Sequence, residues 1–281
     1  MNRSLQRASA LLRCACGGGL RLGDDALNCA VCGRKYAVSG NVVHFIAENG
    51  ERPFWARQLD DWIREQGIEL DMGERYASSP AKCLGGAEQA ERFFGFIAGS
   101  GDSIVDLASG PSGYFGGLFD KLNDRQLLIA TDASAAVIHA HSATNLDTYK
   151  NFLMLDIDLD KPLPFRDNSV DAFMGYLVSN VAGYMELVRE VCRCLKPDGR
   201  FAVAEVFYEK SGPTDLAFRE RGISIASYEA YIEYCQGEGL ALSESRVLYA
   251  MTGKLDPSDE YPLGDDEKSE IRALYFCKAA Q

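Results

Sequence analysis

From Ser103 onward, short apolar runs alternate with segments of helical periodicity, and this alternation constrains the fold more than any other feature. Strands fit at 104–107, 127–131, 152–157, 172–177, 201–206, 246–251 and 273–277, and helices at 115–122, 135–143, 184–195 and 228–236. Apolar strands separated by helices bury both faces of a parallel sheet. The pattern predicts an α/β fold built on a doubly wound, seven-stranded, mostly parallel sheet. No helix separates the last two strands, which predicts an antiparallel hairpin around a strongly acidic, solvated loop at 254–270. An apolar content of 47% in 281 residues supplies the core that such a sheet needs.

The first strand runs into Asp106-Leu-Ala-Ser-Gly-Pro-Ser-Gly113. A glycine-containing turn that leaves a buried strand lets a ligand approach the backbone closely. The second strand closes on Asp132, about twenty residues on, where a carboxylate can accept both hydroxyls of a ribose. The third closes on Asp156-Ile157-Asp158. A Pro-Ser insert separates Gly110 from Gly113, and no Lys or Arg adjoins the turn in the sequence. Both features disfavour a phosphate-bearing dinucleotide.

Four of the nine cysteines, Cys14, Cys16, Cys29 and Cys32, lie within nineteen residues; Cys83, Cys192, Cys194, Cys235 and Cys277 are scattered among apolar neighbours. Two Cys pairs on Gly-containing turns make a zinc ribbon. Four thiolates satisfy a tetrahedral Zn²⁺ and leave no open position, so the metal is structural. Little apolar material separates the pairs, so ligation would supply folding energy. The first pair is Cys-x-Cys, one residue short of the usual knuckle. A ribbon that has lost its metal and a disulfide are the alternatives. His44 is either a reserve ligand or a half-buried strand residue. The segment 1–19 carries Arg3, Arg7 and Arg13 and only a three-residue apolar run, which argues against a secretory signal. With an odd cysteine count, this predicts a reduced, cytoplasmic protein. No apolar run approaches the ~18 residues of a membrane span.

The net charge of −12 divides into +3 on residues 1–50 and −15 on the remainder. The acidic part weighs against nucleic acid as the substrate, since affinity for a phosphate backbone needs clustered Lys and Arg. Residues 51–85 read as a connector or lid. Trp55, Leu59, Trp62 and Ile63 share one helical face at 54–66, which packs on the main domain or covers an apolar substrate. Residues 73–86, rich in Gly, Ser, Pro and Ala, read as a loop, and 87–98 as a helix.

Two resemblances follow. Residues 11–46, with Cys-Gly-Gly-x-Leu, Leu-x-Cys-x-x-Cys-Gly-x-x-Tyr-x-Val and Gly40-Asn-Val-Val, resemble the zinc ribbon of the small activator subunit of tRNA and protein methyltransferases. A similar module stands at the amino terminus of some rRNA guanine methyltransferases. Residues 85–281, with the glycine-rich turn, Asp132, Pro162-Leu-Pro-Phe-Arg-Asp-Asn-Ser-Val-Asp171 and Leu195-Lys-Pro-Asp-Gly-Arg200, resemble class I S-adenosylmethionine-dependent methyltransferases. The resemblance implies domains at 1–50 (zinc ribbon), 51–85 (connector) and 86–281 (methyltransferase). It places the turn on Asp106, Ala108, Gly110 and Gly113. Ala108 stands where a Gly is usual, which is tolerable at negative φ. Asp132, followed by Ala133, maps onto the ribose acid. The adenine acid maps onto Asp158, with Asp156 as its rival, and Ile157 or Leu159 flanks the ring. Gly175 and Tyr176 map onto the backbone that holds the methionine amino group.

Many relatives carry His-His after the fourth strand; here Ser179 and Asn180 stand there, and neither is a base. Tyr176, Tyr184, Glu205 and Tyr208 are the groups near the strand ends, with Tyr176 and Glu205 the catalytic candidates. Glu205 ends a buried apolar strand and requires a partner. His139 and His141 are expected to face solvent. Three functions are open: methyl transfer to a small-molecule substrate, favoured by the acidic catalytic part; methylation of RNA gripped by the ribbon; and a silent partner subunit.

Overall fold

Each of the seven apolar runs becomes a strand in the computed structural model, which describes residues 3–47, 50–144, 151–180, 184–222, 225–254 and 261–279. Helix α1 (Arg3–Leu11) precedes four short strands, β1 (Leu20–Leu22), β2 (Ala26–Cys29), β3 (Lys35–Ser39) and β4 (Val42–His44). Helices α2 (Phe54–Glu65), α3 (Met72–Cys83) and α4 (Ala87–Ala98) follow. Then come β5 (Ser103–Leu107), β6 (Leu127–Asp132), α5 (Ala135–Ala143), β7 (Phe152–Asp156), β8 (Val170–Tyr176), α6 (Tyr184–Cys194), β9 (Leu195–Tyr208), α7 (Pro213–Glu220), α8 (Tyr228–Gly237), β10 (Leu240–Thr252) and β11 (Lys268–Lys278).

The sheet has eleven strands rather than the expected seven, in the order β1-β2-β3-β4-β7-β6-β5-β8-β9-β11-β10. The difference arises at β4. Val42, Val43 and His44 pair in parallel with Met154, Leu155 and Asp156 of β7, so the strands of the cysteine-bearing segment extend the sheet that the βα units build. Val42 and Val43 are buried there. β7, β6, β5, β8 and β9 are parallel neighbours. The β10–β11 hairpin is antiparallel as expected, with β11 between β9 and β10. Residues 255–260 of its acidic loop lie outside the described residues, and 268–270 belong to β11. Alternate strand residues feed two apolar clusters: Val105 and Leu107 join the one that holds Val191 and Tyr231, and Ile104 the one that holds Phe93, Phe94 and Phe115. The order reverses at β5, so the crevice at the carboxyl ends of β5, β6 and β8 is where a doubly wound sheet takes a ligand.

Two local expectations fail together. The segment read as a loop contains α3, capped by Asp71, whose carboxylate accepts from the Glu74 N–H at 3.1 Å. The segment read as a helix at 115–122 is a single 3-10 turn, Tyr114–Leu118. Gly116 and Gly117 disfavour an α-helix, and α3 packs on them. A Cβ at Gly116 would lie 2.5–2.6 Å from Tyr76 atoms, and one at Gly117 2.3 Å from Phe94. Helices α1 and α7 were not anticipated. On α2, Ile63 is buried and Trp55 half-buried, but Trp62 is exposed, so the face does not pack as a whole. The Leu-Pro-Phe…Asp and Leu-Lys-Pro segments meet away from the crevice, where Lys196 bonds Asp171 near the start of β8 at 2.8 Å.

Gly116→Ala is expected to destabilise the fold by about 1–3 kcal/mol, because Tyr76 backbone must move. Gly95→Ala, on an exposed face of α4 with open space around it, should stabilise by about 0.5–1 kcal/mol. Thermal melts of the two variants check the contrast.

Candidate cofactor site

The turn after β5 is stitched to the end of β6. Thr131 Oγ donates to the Asp106 carbonyl at 2.9 Å and accepts from Ala108 N–H at 3.3 Å, while Ser109 N–H donates to the Thr131 carbonyl at 2.8 Å. Gly110 N–H then donates to Asp132 Oδ2 at 2.9 Å, so the turn closes directly on the predicted ribose acid. Asp132 Oδ1 accepts from the N–H groups of Ala133 and Ser134, both at 2.8 Å. The turn requires left-handed backbone at Ala108 (φ +49°), Gly110 (+61°) and Gly113 (+69°). Ala108 therefore does not meet the expectation of negative φ; its Cβ is tolerated under strain.

Asp106, Asp132 and Asp156 end adjacent strands and are almost wholly buried. Asp106 accepts the Tyr114 hydroxyl, and its buried Oδ2 has no hydrogen-bond partner among the described residues. Burial pushes Asp106 up to about 7 and Asp132 up to about 6. Asp156 lies opposite Asp132 in the β6–β7 register. It holds the Arg52 guanidinium through two bonds of 2.9 and 3.1 Å and His44 Nδ1 at 3.0 Å. His44 is thus a strand residue bonded to a carboxylate. Asp158 is half-buried and caps its own turn by accepting from Asp160 N–H at 3.0 Å. Ile157 and Leu159 are buried beside it, and Ile157 N–H donates to the Asp132 carbonyl at 2.9 Å. Asp158 and Ile157 line a cavity of about 310 Å³ shared with Arg13, Tyr36 and Phe45 of the amino-terminal segment.

Across the crevice, β8 ends in Gly175 and Tyr176. A Cβ at Gly175 would lie 2.5 Å from Val178 Cγ2, so glycine lets Val178 pack closely against the strand end. Leu177 follows at φ +52°. Glu205 on β9 pins this turn. It accepts from Val178 N–H at 2.6 Å, Ser179 N–H at 3.4 Å and Tyr184 O–H at 3.2 Å. The Tyr184 hydroxyl in turn lies 3.0 Å from that of Tyr231. Burial pushes Glu205 up to about 7. Tyr176 is half-buried, meets the Cys83 thiol, and lies 5.4 Å from the Tyr114 ring, tilted by 36° to it. Asn180's side chain lies outside the described residues.

Four contributors had no local signal. His141, expected in solvent, is buried: Nε2–H donates to the Gly110 carbonyl at 3.0 Å and Nδ1 accepts the Tyr76 hydroxyl at 2.6 Å. Burial holds it down to about 4, hence neutral. Arg52 reaches Asp156 from the connector. Asp60 caps α5, accepting from Ser134 O–H, Ala135 N–H and Ala136 N–H at 2.5–3.1 Å. Arg75 of α3 donates to the Pro111 carbonyl at 2.9 Å, so packing brings to the turn the cation that the sequence does not show beside it.

The amino-terminal cysteines form the one His/Cys/Asp/Glu group among the described residues that could hold a metal, with all four Sγ within 4.8 Å of one another. Cys14–Cys32 and Cys16–Cys29 stand 3.6 and 3.5 Å apart, close to the ~3.8 Å edge of a tetrahedron with 2.3 Å Zn–S bonds. N–H groups of Cys32 and Val31 point at Cys29 Sγ and hold that thiol down to about 6. This donor set fits zinc.

Comparison with known proteins bears on the crevice. Residues 105–203 match the methyltransferase domain family. The matched segment runs from β5 into β9 and contains the turn, the three aspartates and Gly175. The ubiquinone/menaquinone biosynthesis C-methyltransferase UbiE of Legionella pneumophila is 32% identical over 108 residues, 37% of this chain. The chain spans 43% of the length of that relative. The 2-phytyl-1,4-naphtoquinone methyltransferase of Nostoc punctiforme is 25% identical over 79% of this chain and 85% of its own. Geranyl diphosphate C-methyltransferase from Streptomyces coelicolor shares the fold at a TM-score of 0.56 and 13% identity, covering 81% of this chain and 99% of that one. So does the [4+2]-cyclase SpnF, at a TM-score of 0.52 and 16% identity over 80% and 95% of the two chains. The mixed α/β fold is that of the S-adenosylmethionine-dependent methyltransferases.

Glu205 makes a pH prediction. The unfolded carboxyl loses its proton near 4.5, and the folded one keeps it to about 7, so its contribution to stability falls as pH rises through that window. Glu205→Gln should remove this contribution, at most about 3 kcal/mol, and so flatten the change in melting temperature between about pH 5 and pH 7.5. Asp106 and Asp132 act with the same sign and His141 with the opposite one, equally in both proteins. Parallel melts of wild type and variant across that range test it.

Proposed function

We propose that the chain is an S-adenosylmethionine-dependent methyltransferase acting on a small molecule, with a structural zinc in the amino-terminal ribbon. The observation that carries this reading is the closure of the glycine turn on Asp132 by the Gly110 N–H bond. The unmet acceptor at Asp106 Oδ2 and the nearby acids fit a ligand bearing ammonium and sulfonium charge. Asp132 would take the ribose hydroxyls, Asp158 the adenine amino group, and Ala133, Ile157 and Leu159 the ring. Asp156 is committed to Arg52 and His44, so it shapes the strand end instead. Gly175 and Tyr176 would offer backbone to the methionine amino group.

The bound cofactor supplies an electrophilic methyl group. The protein's part is alignment and exclusion of water. Tyr176 borders the acceptor side. Glu205, held by three donors, acts as a positioning residue that fixes the Leu177 turn. Small-molecule acceptors agree with the −15 charge of residues 51–281 and with the quinone and prenyl diphosphate methyltransferases among the similar proteins.

Three outcomes are expected. Asp132→Asn should weaken S-adenosylhomocysteine binding on the order of 10- to 100-fold by calorimetry, and wild type that binds none sinks the reading. Assays of S-adenosylhomocysteine release with naphthoquinols, prenyl diphosphates and total tRNA as acceptors should show turnover with a small molecule; turnover with tRNA alone would favour the RNA reading. Freshly purified protein should carry about one zinc per chain, lost in Cys29→Ser with a lower melting temperature. Less than about half an equivalent in wild type would refute the zinc assignment.

A further inference from the structure

The rim of the crevice is acidic. Asp106, Asp132, Asp156 and Glu205 are all buried at or near the carboxyl ends of parallel strands. An amino-acid ligand placed there brings a carboxylate into a negative field, and burying it needs a cation. Two guanidinium groups reach this rim from the connector. Arg52 is neutralised by its two-bond pairing with Asp156. Arg75 differs. Its NH1 donates to the Pro111 carbonyl at 2.9 Å and its NH2 to the Glu69 carbonyl at 3.5 Å, and among the described residues no carboxylate bonds it. A guanidinium has five N–H donors in a planar fork, so this one keeps capacity for an anion. It is half-buried, which strengthens its charge interactions relative to a solvated arginine.

The backbone is built to let it approach. A Cβ at Gly113 would lie 3.1 Å from Arg75 Cβ and 2.9 Å from Met72 Cε. Gly113 thus serves both its φ of +69° and the seating of α3 against the turn. Tyr76, the next residue, fastens the same helix to Gly110 through His141. The cation therefore sits on the Gly110–Gly113 turn by two independent attachments.

We propose that Arg75 binds the α-carboxylate of the cofactor's amino-acid moiety, making α3 part of the cofactor site. The inference rests on the reading of the crevice as an S-adenosylmethionine site and adds a residue from outside the matched domain. The test compares S-adenosylhomocysteine with its decarboxylated analogue, which keeps the adenosine, thioether and ammonium. For Arg75→Met, calorimetry should show a loss on the order of 10- to 100-fold for S-adenosylhomocysteine and a change within about twofold for the analogue. Arg75→Lys should fall between wild type and Arg75→Met, since it restores charge without the fork. Unchanged S-adenosylhomocysteine affinity overturns the proposal. So does an equal loss for both ligands, which would make Arg75 only a fastener of α3 to the turn. Wild type that binds neither ligand overturns the cofactor reading itself, and this assignment with it.

Discussion

Four carboxyl groups buried at or near the ends of parallel strands set the terms for everything around them. An uncompensated buried carboxylate is costly, so each has recruited its own partners. Asp132 takes three backbone N–H groups from the turn and the start of α5. Asp106 takes a tyrosine hydroxyl, Asp156 an arginine and a histidine, and Glu205 two N–H groups and a second tyrosine. These bonds determine where the glycine turn, the connector and the loop after β8 lie. The crevice is shaped from below by the acids that line it.

Asp156 shows how far this reaches. Its side chain holds Arg52 and His44, and its carbonyl accepts from Phe45 and Ile46 N–H at 2.9 and 3.2 Å. The segment carrying the four cysteines is therefore fastened to the strand end next to the proposed ribose acid. β4 continues the sheet rather than standing beside it. A metal that organises β1–β3 would act on the crevice through β4 and Asp156, with no contact of its own there.

The strands were legible because each buried strand is an apolar run bounded by polar turns, and α5 appears over the expected 135–143. What failed were segments whose conformation is decided by a distant partner. Gly73, Ser78, Ser79 and Pro80 argue against a helix in isolation, yet α3 forms because its other face meets Gly113, Gly116 and Gly117. Gly116 and Gly117, read locally, belonged to a helix that the packing of α3 replaces. Asp106, Asp132 and Glu205 could be found from their positions at strand ends. Arg52, Arg75 and His141 could not, because their partners lie 104, 36 and 31 residues away and no spacing rule connects them. Fold likeness also stops short of chemistry, since a cyclase shares this architecture with methyltransferases.

The same acids bear on how the proposed reaction is accelerated. A sulfonium loses its positive charge as its methyl leaves. Carboxylates near it therefore stabilise the bound cofactor more than the transition state, and that preference favours affinity rather than rate. Burial works against that field, since it favours the neutral forms of Asp106 and Glu205, pushing each up to about 7. Acceleration is left to alignment of the acceptor with the methyl group. That places the demand on the rigidity of the β8 end, where Gly175, the left-handed Leu177 and the Glu205 clamp fix the backbone beside Tyr176. Glu205 can thus matter to rate without touching the reacting atoms.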